Sequence, residues 1–480
     1  MTAEAVDYHP ETLFIGGDLV PAHSAARLAV INPATEEELG SIIDADGVDV
    51  DAAVRAAEAA GRDWGSRTPS DRAAHLLRFA QLFEDNSDRI SRLISEENGT
   101  PISAARGMQS LVPRHLRYFA SLANDLEVER HIVTATGDAL VRRLPVGVAA
   151  LITPWNGPQT LLAWKLGPAL VAGCTVVIKP AAETTLESYI LAELLTEAGF
   201  PPGVVNIVTG GRETGAALVA HPAVRKVAFT GSTAGGRSVG ETCARDFKRV
   251  SLELGGKSAA ILLEDVDLEA FRPFVATACA PNTGQVCRAL TRVLAPVSRY
   301  DEIVDFLAEE MSSVPLGDPT DPTTGFGPMA NRDQFERVLS YIDIGLAEGA
   351  KAVIGGKRSP LHDRGYFVEP TVFRNVTNDM RIAQEEIFGP VLCVSPYESV
   401  DEAVSIANDS EYGLCGGVFS TDLDAATEVA RQFKTGSVAV NTFTLPIEAP
   451  FGGTKNSGIG RELGPASLDP YLEYQTIFRM

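Results

Sequence analysis

Residues 146–232 hold four short apolar runs: "VGVAALI" (146–152), "CTVVIKP" (174–180), "VVNIVTG" (204–210) and "KVAFTGS" (226–232). Between them lie "QTLLAWKLGPALVAG" (159–173), "LESYILAELLTEAG" (186–199) and "ETGAALVAH" (213–221). Each run is apolar almost throughout, so each reads as a strand buried on both faces. The intervening segments are helical in pattern and imply parallel crossovers. This alternation predicts a doubly wound α/β sheet, a class that binds ligands beyond the carboxyl ends of its strands.

On the N-terminal side, a loose acidic lead (1–12) gives way to "LFIGGDLVPA" and "ARLAVINPATEEELGSI", both read as short strands broken by Gly and Pro. "VDVDAAVRAAEAAGRDW" (48–64) reads as a helix with Ala53, Ala57, Ala60 and Trp64 on one face and Gly61 and Gly65 marking its end. A second long helical stretch starts at Ser70, taken as its N-cap, and "ENGTP" (97–101) ends it. Beyond residue 258 a second α/β stretch runs to about 430, and no internal repeat or low-complexity segment is found.

A chain of 480 residues exceeds one hydrophobic core, so two or three domains are expected. With 45% hydrophobic and 22% charged residues it reads as a soluble globular protein. The net charge of −22 repels phosphate backbones and anionic lipid, which argues against nucleic-acid or membrane partners. The six cysteines form no CxxC pair and no zinc-like spacing with histidine, so neither a metal site nor a disulfide framework is expected. The start lacks the pattern of a signal peptide, and no run is long enough to span a membrane. The expected location is the cytoplasm.

Three motifs fall where strands should end: "TPWN" after "VAALI", "KP" after "CTVVI", and "FTGSTAGG" opening a helix. In the last, Gly231 lets a ligand approach the backbone, and Ser232 sits at a helix N-terminus, where free N–H groups attract phosphate. An ordinary helix cap is the competing reading. No GxGxxG follows the first strand, so any dinucleotide must be bound in a variant manner. Lys179 can reach ribose hydroxyls, or it is a solvated surface lysine.

"VSLELGGKSAAILL" sets Glu253 among apolar residues, where burial raises a carboxyl pKa and suits it to general-base work. The alternative is a Glu paired with a neighbouring Arg or Lys. Thirty-four positions on, "APNTGQVCRAL" (280–290) presents Cys287 behind Gly-Gln and against Arg288. A catalytic Cys works as the thiolate, favoured by nearby positive charge or backbone N–H groups. A lone Cys beside apolar residues can equally be a small core residue.

Taken together, "TPWN" (153–156), "KP" (179–180), "FTGST" (229–233), "ELGGK" (253–257), "GQVC" (284–287), "EEIFGP" (385–390), "NDSEYGL" (408–414) and "PFGGTKNSGIGRELG" (450–464) resemble the aldehyde dehydrogenase superfamily in order and spacing, from about residue 13 onward. The resemblance implies Cys287 as nucleophile, Asn156 and the Cys287 N–H as oxyanion donors, and Glu253 as the base that activates water for hydrolysis. It implies a proton relay through Lys165 and Glu462. It also implies cofactor contacts: Thr153 and Trp155 at the adenine-ribose side, Lys179 at the adenosine ribose, Gly231 and Ser232 at the pyrophosphate. Glu386 would hold the nicotinamide ribose, Phe388 the ring and the Leu254 backbone the amide.

The implied architecture is α/β: a Rossmann-type cofactor domain (1–126 and 146–252), a catalytic domain (253–435) and a small β segment for oligomerisation (127–145 with 465–480). Residues 436–464 would return to the cofactor domain and the substrate tunnel. A homodimer or homotetramer follows from that segment.

The chain departs from the family at three places. "KPAAET" puts Ala182 where many NAD-using members carry Glu, and Glu183 comes one residue late; NAD is still expected, with NADP left open. Gly157 replaces an aromatic residue, leaving Trp164 and Phe451 as tunnel walls and hinting at a bulky or aromatic aldehyde. Arg288 could lower the thiol pKa, hold a semialdehyde carboxylate, or join a structural ion pair. The competing activities are a CoA-acylating relative and an inert cofactor-binding protein of the same fold.

Overall fold

The computed structural model describes residues 10–361 and 363–479, so most of the acidic lead lies outside the described residues. The four apolar runs are strands of one eight-stranded sheet. Val148–Ile152, Thr175–Lys179, Val205–Ile207, Val224–Thr230 and Arg249–Glu253 stand in spatial order third, second, first, fourth, fifth. Their ladders are all parallel. The chain winds one way from Val148–Ile152 and then, from Val224–Thr230, the other. The switch therefore lies between these two strands, where a crevice opens at their carboxyl ends. The Thr12–Ile15 and Asp18–Pro21 hairpin closes one edge, and Gly458–Ile459 closes the other by pairing antiparallel with Leu252 and Glu253.

The helix Pro158–Ala172 is buried at every position but Leu161, as expected of a crossover held between the sheet and an outer helical layer. That layer contains Pro69–Asp85, Ser87–Asn98 and Ile102–Ser121. Here the sequence reading needs correction. The single stretch expected after residue 70 is two helices broken at Asn86, and Thr68, not Ser70, caps the first: its Oγ1 accepts the Asp71 N–H at 3.1 Å, with Pro69 in the first turn. Gly61 and Gly65 do not end the first helix either, since Gly47–Ser66 runs through both. Gly65 is there for packing, because a Cβ would stand 3.1 Å from Pro145.

Residues 259–440 build a second sheet of seven strands around Ala259–Leu262, parallel except for the edge strand Lys351–Ile354. A third sheet is antiparallel: Glu129–Thr134, Gly137–Pro145 and Leu472–Arg479. It carries unusually exposed apolar side chains, with Val133 74% and Phe478 83% accessible. Among the described residues, no helix is long and apolar enough to cross a membrane, and no cluster could hold a metal ion.

Candidate active site

Two hollows flank the junction of the sheets. The first is a groove of about 490 Å³ at the carboxyl ends of the parallel strands, lined by Thr153, Lys179, Glu183, Arg212 and Ser232 among others. Lys179 is not a solvated surface residue: it is buried, its Nζ donates to the Pro180 carbonyl at 2.9 Å, and burial pulls its pKa down to about 8. Ser232 caps Thr233–Arg245, its Oγ accepting the Gly235 N–H at 3.1 Å, so this helix N-terminus opens on the groove. At Gly231 a Cβ would press within 2.7 Å of the Phe229 ring, so packing alone already favours glycine there. Glu183, one position late in sequence, still lines the groove, held at 3.2 Å by Asn331 Nδ2.

At the other end of the crevice Glu386 is enclosed. Its Oε1 accepts the Gly256 N–H at 2.8 Å, and burial raises its pKa to about 7. Phe388 has a left-handed backbone (φ 64°), costly for a bulky residue, with its carbonyl and that of Ile387 fixed by Gln334 Nε2 at 2.8 and 3.0 Å. Trp155 corrects an expectation: it does not line the adenosine end but packs edge-on against Phe388, with ring centroids 5.4 Å apart. The Leu254 N–H donates to Ser457 O at 3.0 Å, leaving its carbonyl for any partner in the groove. A helix N-terminus, a cation and two carboxylates along a switch-point crevice fit an extended dinucleotide.

The second hollow, about 380 Å³, contains Cys287, Asn156, Gly157, Trp164, Arg288 and Phe451 in its wall. All six cysteines are unpaired, and Cys287 alone is not fully buried. Its loop turns tightly through Asn282, Thr283 and Gly284, all at positive φ. Asn156 Nδ2 donates to Gln285 O at 2.9 Å, which aims the amide at this loop and leaves its second N–H for another acceptor. Trp164 and Phe451 meet edge to face at 5.5 Å, and Trp164 Nε1 donates to His115 Nδ1 at 2.9 Å. The indole can only donate, so this imidazole is neutral, in keeping with a pKa pulled down to about 4 by burial. Gly157 leaves real space, the nearest atom to a Cβ there being Leu161 Cδ1 at 3.7 Å.

Two expectations about charge change. The Cys287 thiol is not depressed: burial first, then Cys415, Glu386 and Glu253, push it far above its ordinary value, and Arg288 alone pulls down. Arg288 is in no ion pair among the described residues. Its guanidinium lies 3.7 Å over the Phe443 ring and donates to the Phe443 carbonyl at 2.6 Å.

Glu253 ends its strand in a buried position, and among the described residues its Oε1 has no hydrogen-bond partner and its carboxylate no ion pair, against the paired-Glu alternative. Burial and then Glu462 raise its pKa well above the ordinary range, against the pull of Lys165 and Arg461. Lys165 and Glu462 are buried rather than exposed: Lys165 Nζ donates to Glu462 Oε1 and to Thr230 Oγ1, each at 2.6 Å. Glu462 is set by the Phe451 pairing, whose two backbone hydrogen bonds are 2.7 Å.

Sequence reasoning missed the outer cavity wall, in which Ala104, Met108, Leu111 and His115 come from the helix Ile102–Ser121. Their spacing of three and four puts them on one helix face, a signal present in the sequence. Phe443 and Thr230 were also missed, and only the fold brings them here.

Residues 19–477 match the family model described as the aldehyde dehydrogenase family. The chain belongs to the aldehyde dehydrogenase family. Geranial dehydrogenase of Castellaniella defragrans is 49% identical, over 97% of this chain and 98% of its own. Among solved structures, a Cys-to-Ala variant of aldehyde dehydrogenase C from Pseudomonas syringae, in complex with NAD+ and octanal, superposes with a TM-score of 0.96 at 40% identity, covering 99% and 98% of the two chains. The NAD+ complex of a Mycobacterium tuberculosis aldehyde dehydrogenase gives 0.95 at 43% identity, with 98% of each chain covered. The fold expected for an aldehyde dehydrogenase is thus the fold observed.

Proposed function

We propose that this aldehyde dehydrogenase oxidises an apolar, medium-chain aldehyde to its carboxylic acid with NAD, in the cytoplasm, as a homodimer or homotetramer. The observation that carries the substrate class is the second hollow: Met108, Leu111, Leu161, Trp164, Phe443 and Phe451 surround the approach to Cys287. Such a wall recognises hydrocarbon, about 0.8 kcal/mol per buried methylene. Arg288 is already satisfied by Phe443, which weakens the semialdehyde reading.

The residues divide the work as follows. Cys287 Sγ, once deprotonated, attacks the aldehyde carbon, and the oxyanion that forms meets the free N–H of Asn156 and the Cys287 backbone N–H. Each such donor stabilises the charge by ~3 kcal/mol. Bound NAD supplies the hydride acceptor, and Lys179, Ser232, Glu386 and Phe388 would hold it. Cys287 is then left carrying the acyl group as a thioester. Glu253 takes a proton from the water that attacks this thioester, the C–S bond breaks, and the acid leaves while the thiolate is regenerated. Glu253 passes its proton to Glu462 and Lys165. A water-activating base beside the nucleophile favours hydrolysis over transfer to CoA.

Support for assembly comes from the third sheet, whose exposed Val133 and Phe478 invite a second copy. Six unpaired cysteines fit a reducing compartment. The same division into cofactor domain, catalytic domain and β segment is retained as part of this reading. The test is reduced-nicotinamide absorbance on mixing with straight-chain, aromatic and ω-carboxy aldehydes, each with NAD and NADP, and a Cys287→Ala control. Turnover greatest on apolar chains and absent from the control is the expected result. Preference for the ω-carboxy aldehydes would overturn the substrate class, and activity surviving in the control would overturn the nucleophile.

A further inference from the structure

Beneath the catalytic base lies a second buried cation that the mechanism has not used. Lys226 is fully buried in Val224–Thr230, yet makes no ion pair among the described residues. Its Nζ donates to Ser251 Oγ at 2.5 Å and stands 5.3 Å from the centre of the Tyr471 ring. The strand register explains why it matters. Thr230 pairs with Glu253, Ala228 with Ser251 and Lys226 with Arg249, so alternate residues place Lys226 and Thr230 on the face shared by Ser251 and Glu253. A polar stripe therefore runs from the base at the strand ends back through the sheet. Lys165 and Glu462 lie across it, bridged to Thr230.

The groups acting on Lys226 are Glu462 from the returning segment, Lys165 from Pro158–Ala172, Cys174 before the second strand and Tyr471 on its own face, with Cys243 of Thr233–Arg245 packed against the opposite face of the sheet. Glu462 is the strongest charge acting on it and the only carboxylate of the set. We propose that Lys226 is a positioning residue for deacylation: with Lys165 it sets two buried cations against the two buried carboxyls Glu253 and Glu462, so that both can be ionised when water is activated. The proposal rests on Glu253 serving as the base. Burial brings the Lys226 pKa down to about 7, so its charge is itself in balance near neutrality.

A p-nitrophenyl acyl ester tests this without cofactor, because it would acylate Cys287 in a burst of nitrophenolate and then report deacylation in the steady state. Lys226→Met removes a positive charge that acts on Glu462 and lies on the same sheet face as Glu253. The acidic limb of the steady-state rate should move up by about one pH unit, while the burst amplitude stays that of the wild type. Lys226→Arg keeps the charge and should restore the wild-type limb. Ser251→Ala, which only removes the acceptor for Nζ, should shift the limb the same way by less, and it carries the test if Lys226→Met does not fold. An unmoved limb in the variants that fold, whatever their melting temperatures, would assign Lys226 a structural role and overturn the proposal. A wild-type protein with no burst would overturn the Cys287 reading and this proposal with it.

Discussion

Gly256 places the tightest constraint on the nucleophile, and a single methyl group tests it. Its backbone has an ordinary φ, so Gly256→Ala introduces no conformational strain. The added Cβ would instead be driven into the carbonyl oxygen of Cys287, with Leu414 Cβ closing the other side at 3.4 Å. Unbonded carbon and oxygen settle at about 3.3 Å, so the Cys287 backbone has to retreat by about 1 Å. The opposing atom is backbone in a loop already strained at Asn282 and Thr283, so it cannot swing aside as a side chain would. A displacement of that size at a reacting group costs about 10²-fold in rate. Single-turnover appearance of reduced nicotinamide measures it directly. Gly256→Ala should lower that rate about 10²-fold. Gly157→Ala, where a Cβ has room, should leave it within a factor of about two. Gly255→Ala meets only the Glu386 carboxylate, at 2.6 Å, and should raise the Kd for the cofactor more than it slows chemistry. A Gly256→Ala protein with an unchanged single-turnover rate would show that Cys287 is not held where the structure has it.

Further outcomes follow from the same geometry. Along a series of straight-chain aldehydes kcat/KM should climb about fourfold per methylene, from ~0.8 kcal/mol each. The climb should level off once the 380 Å³ cavity is full, and an early plateau would count against the apolar assignment. Glu253→Gln should keep the first burst of reduced nicotinamide and lose steady-state turnover by ~10²–10⁴-fold, as removal of a general base does. Glu97 and Glu187 form a buried carboxyl pair, in which Gln159 Nε2 donates to Glu187 Oε1 at 2.8 Å and burial holds the Glu187 pKa up at about 7. A carboxyl raised in the folded state contributes stability that is full below its ordinary pKa and is lost as pH rises to about 7. Melting curves across that window should therefore flatten in Glu187→Gln. Val133→Asp combined with Phe478→Asp should reduce the mass measured by light scattering to that of one chain, and an unchanged oligomer would redirect the search for the interface.

The parallel strands and the placing of the motifs were legible because a strand buried on both faces has to be apolar throughout, and Val148–Ile152 and Thr175–Lys179 are, whereas their order in the sheet had to come from the structure. Cys287 and Glu253 stood out in the sequence by residue type and setting, and Asn156 through the family resemblance. Their charge states did not. The thiol is raised first by burial and then by Cys415, Glu386 and Glu253, which converge on it from distant segments, and Arg288 turns to the Phe443 ring through a contact 155 positions away. Trp155 was misplaced for a related reason, because a motif fixes where the backbone leaves a strand and packing decides which way the side chain turns. The break at Asn86 was missed because the helices on either side share one pattern, and a non-glycine break leaves little mark on periodicity.

The pairing of Phe451 with Glu462, and of Gly458 with Glu253, also fixes when in its own making the protein can become competent. Seven of the eight strands of the large sheet are complete once residue 253 has been synthesised, but the segment that closes the edge beside Glu253 and delivers Glu462 comes some two hundred residues later. At ~5–20 residues per second, the sheet waits about 10–40 s with an open edge strand and an uncovered carboxylate. Cys287 is made during this interval, after Glu253 but before Glu462 and the strand that closes the edge beside Glu253. A nascent chain of that length holds Glu253 and Cys287 without the Glu462 partner of Lys165, and on the proposed mechanism turnover begins only when the returning segment docks.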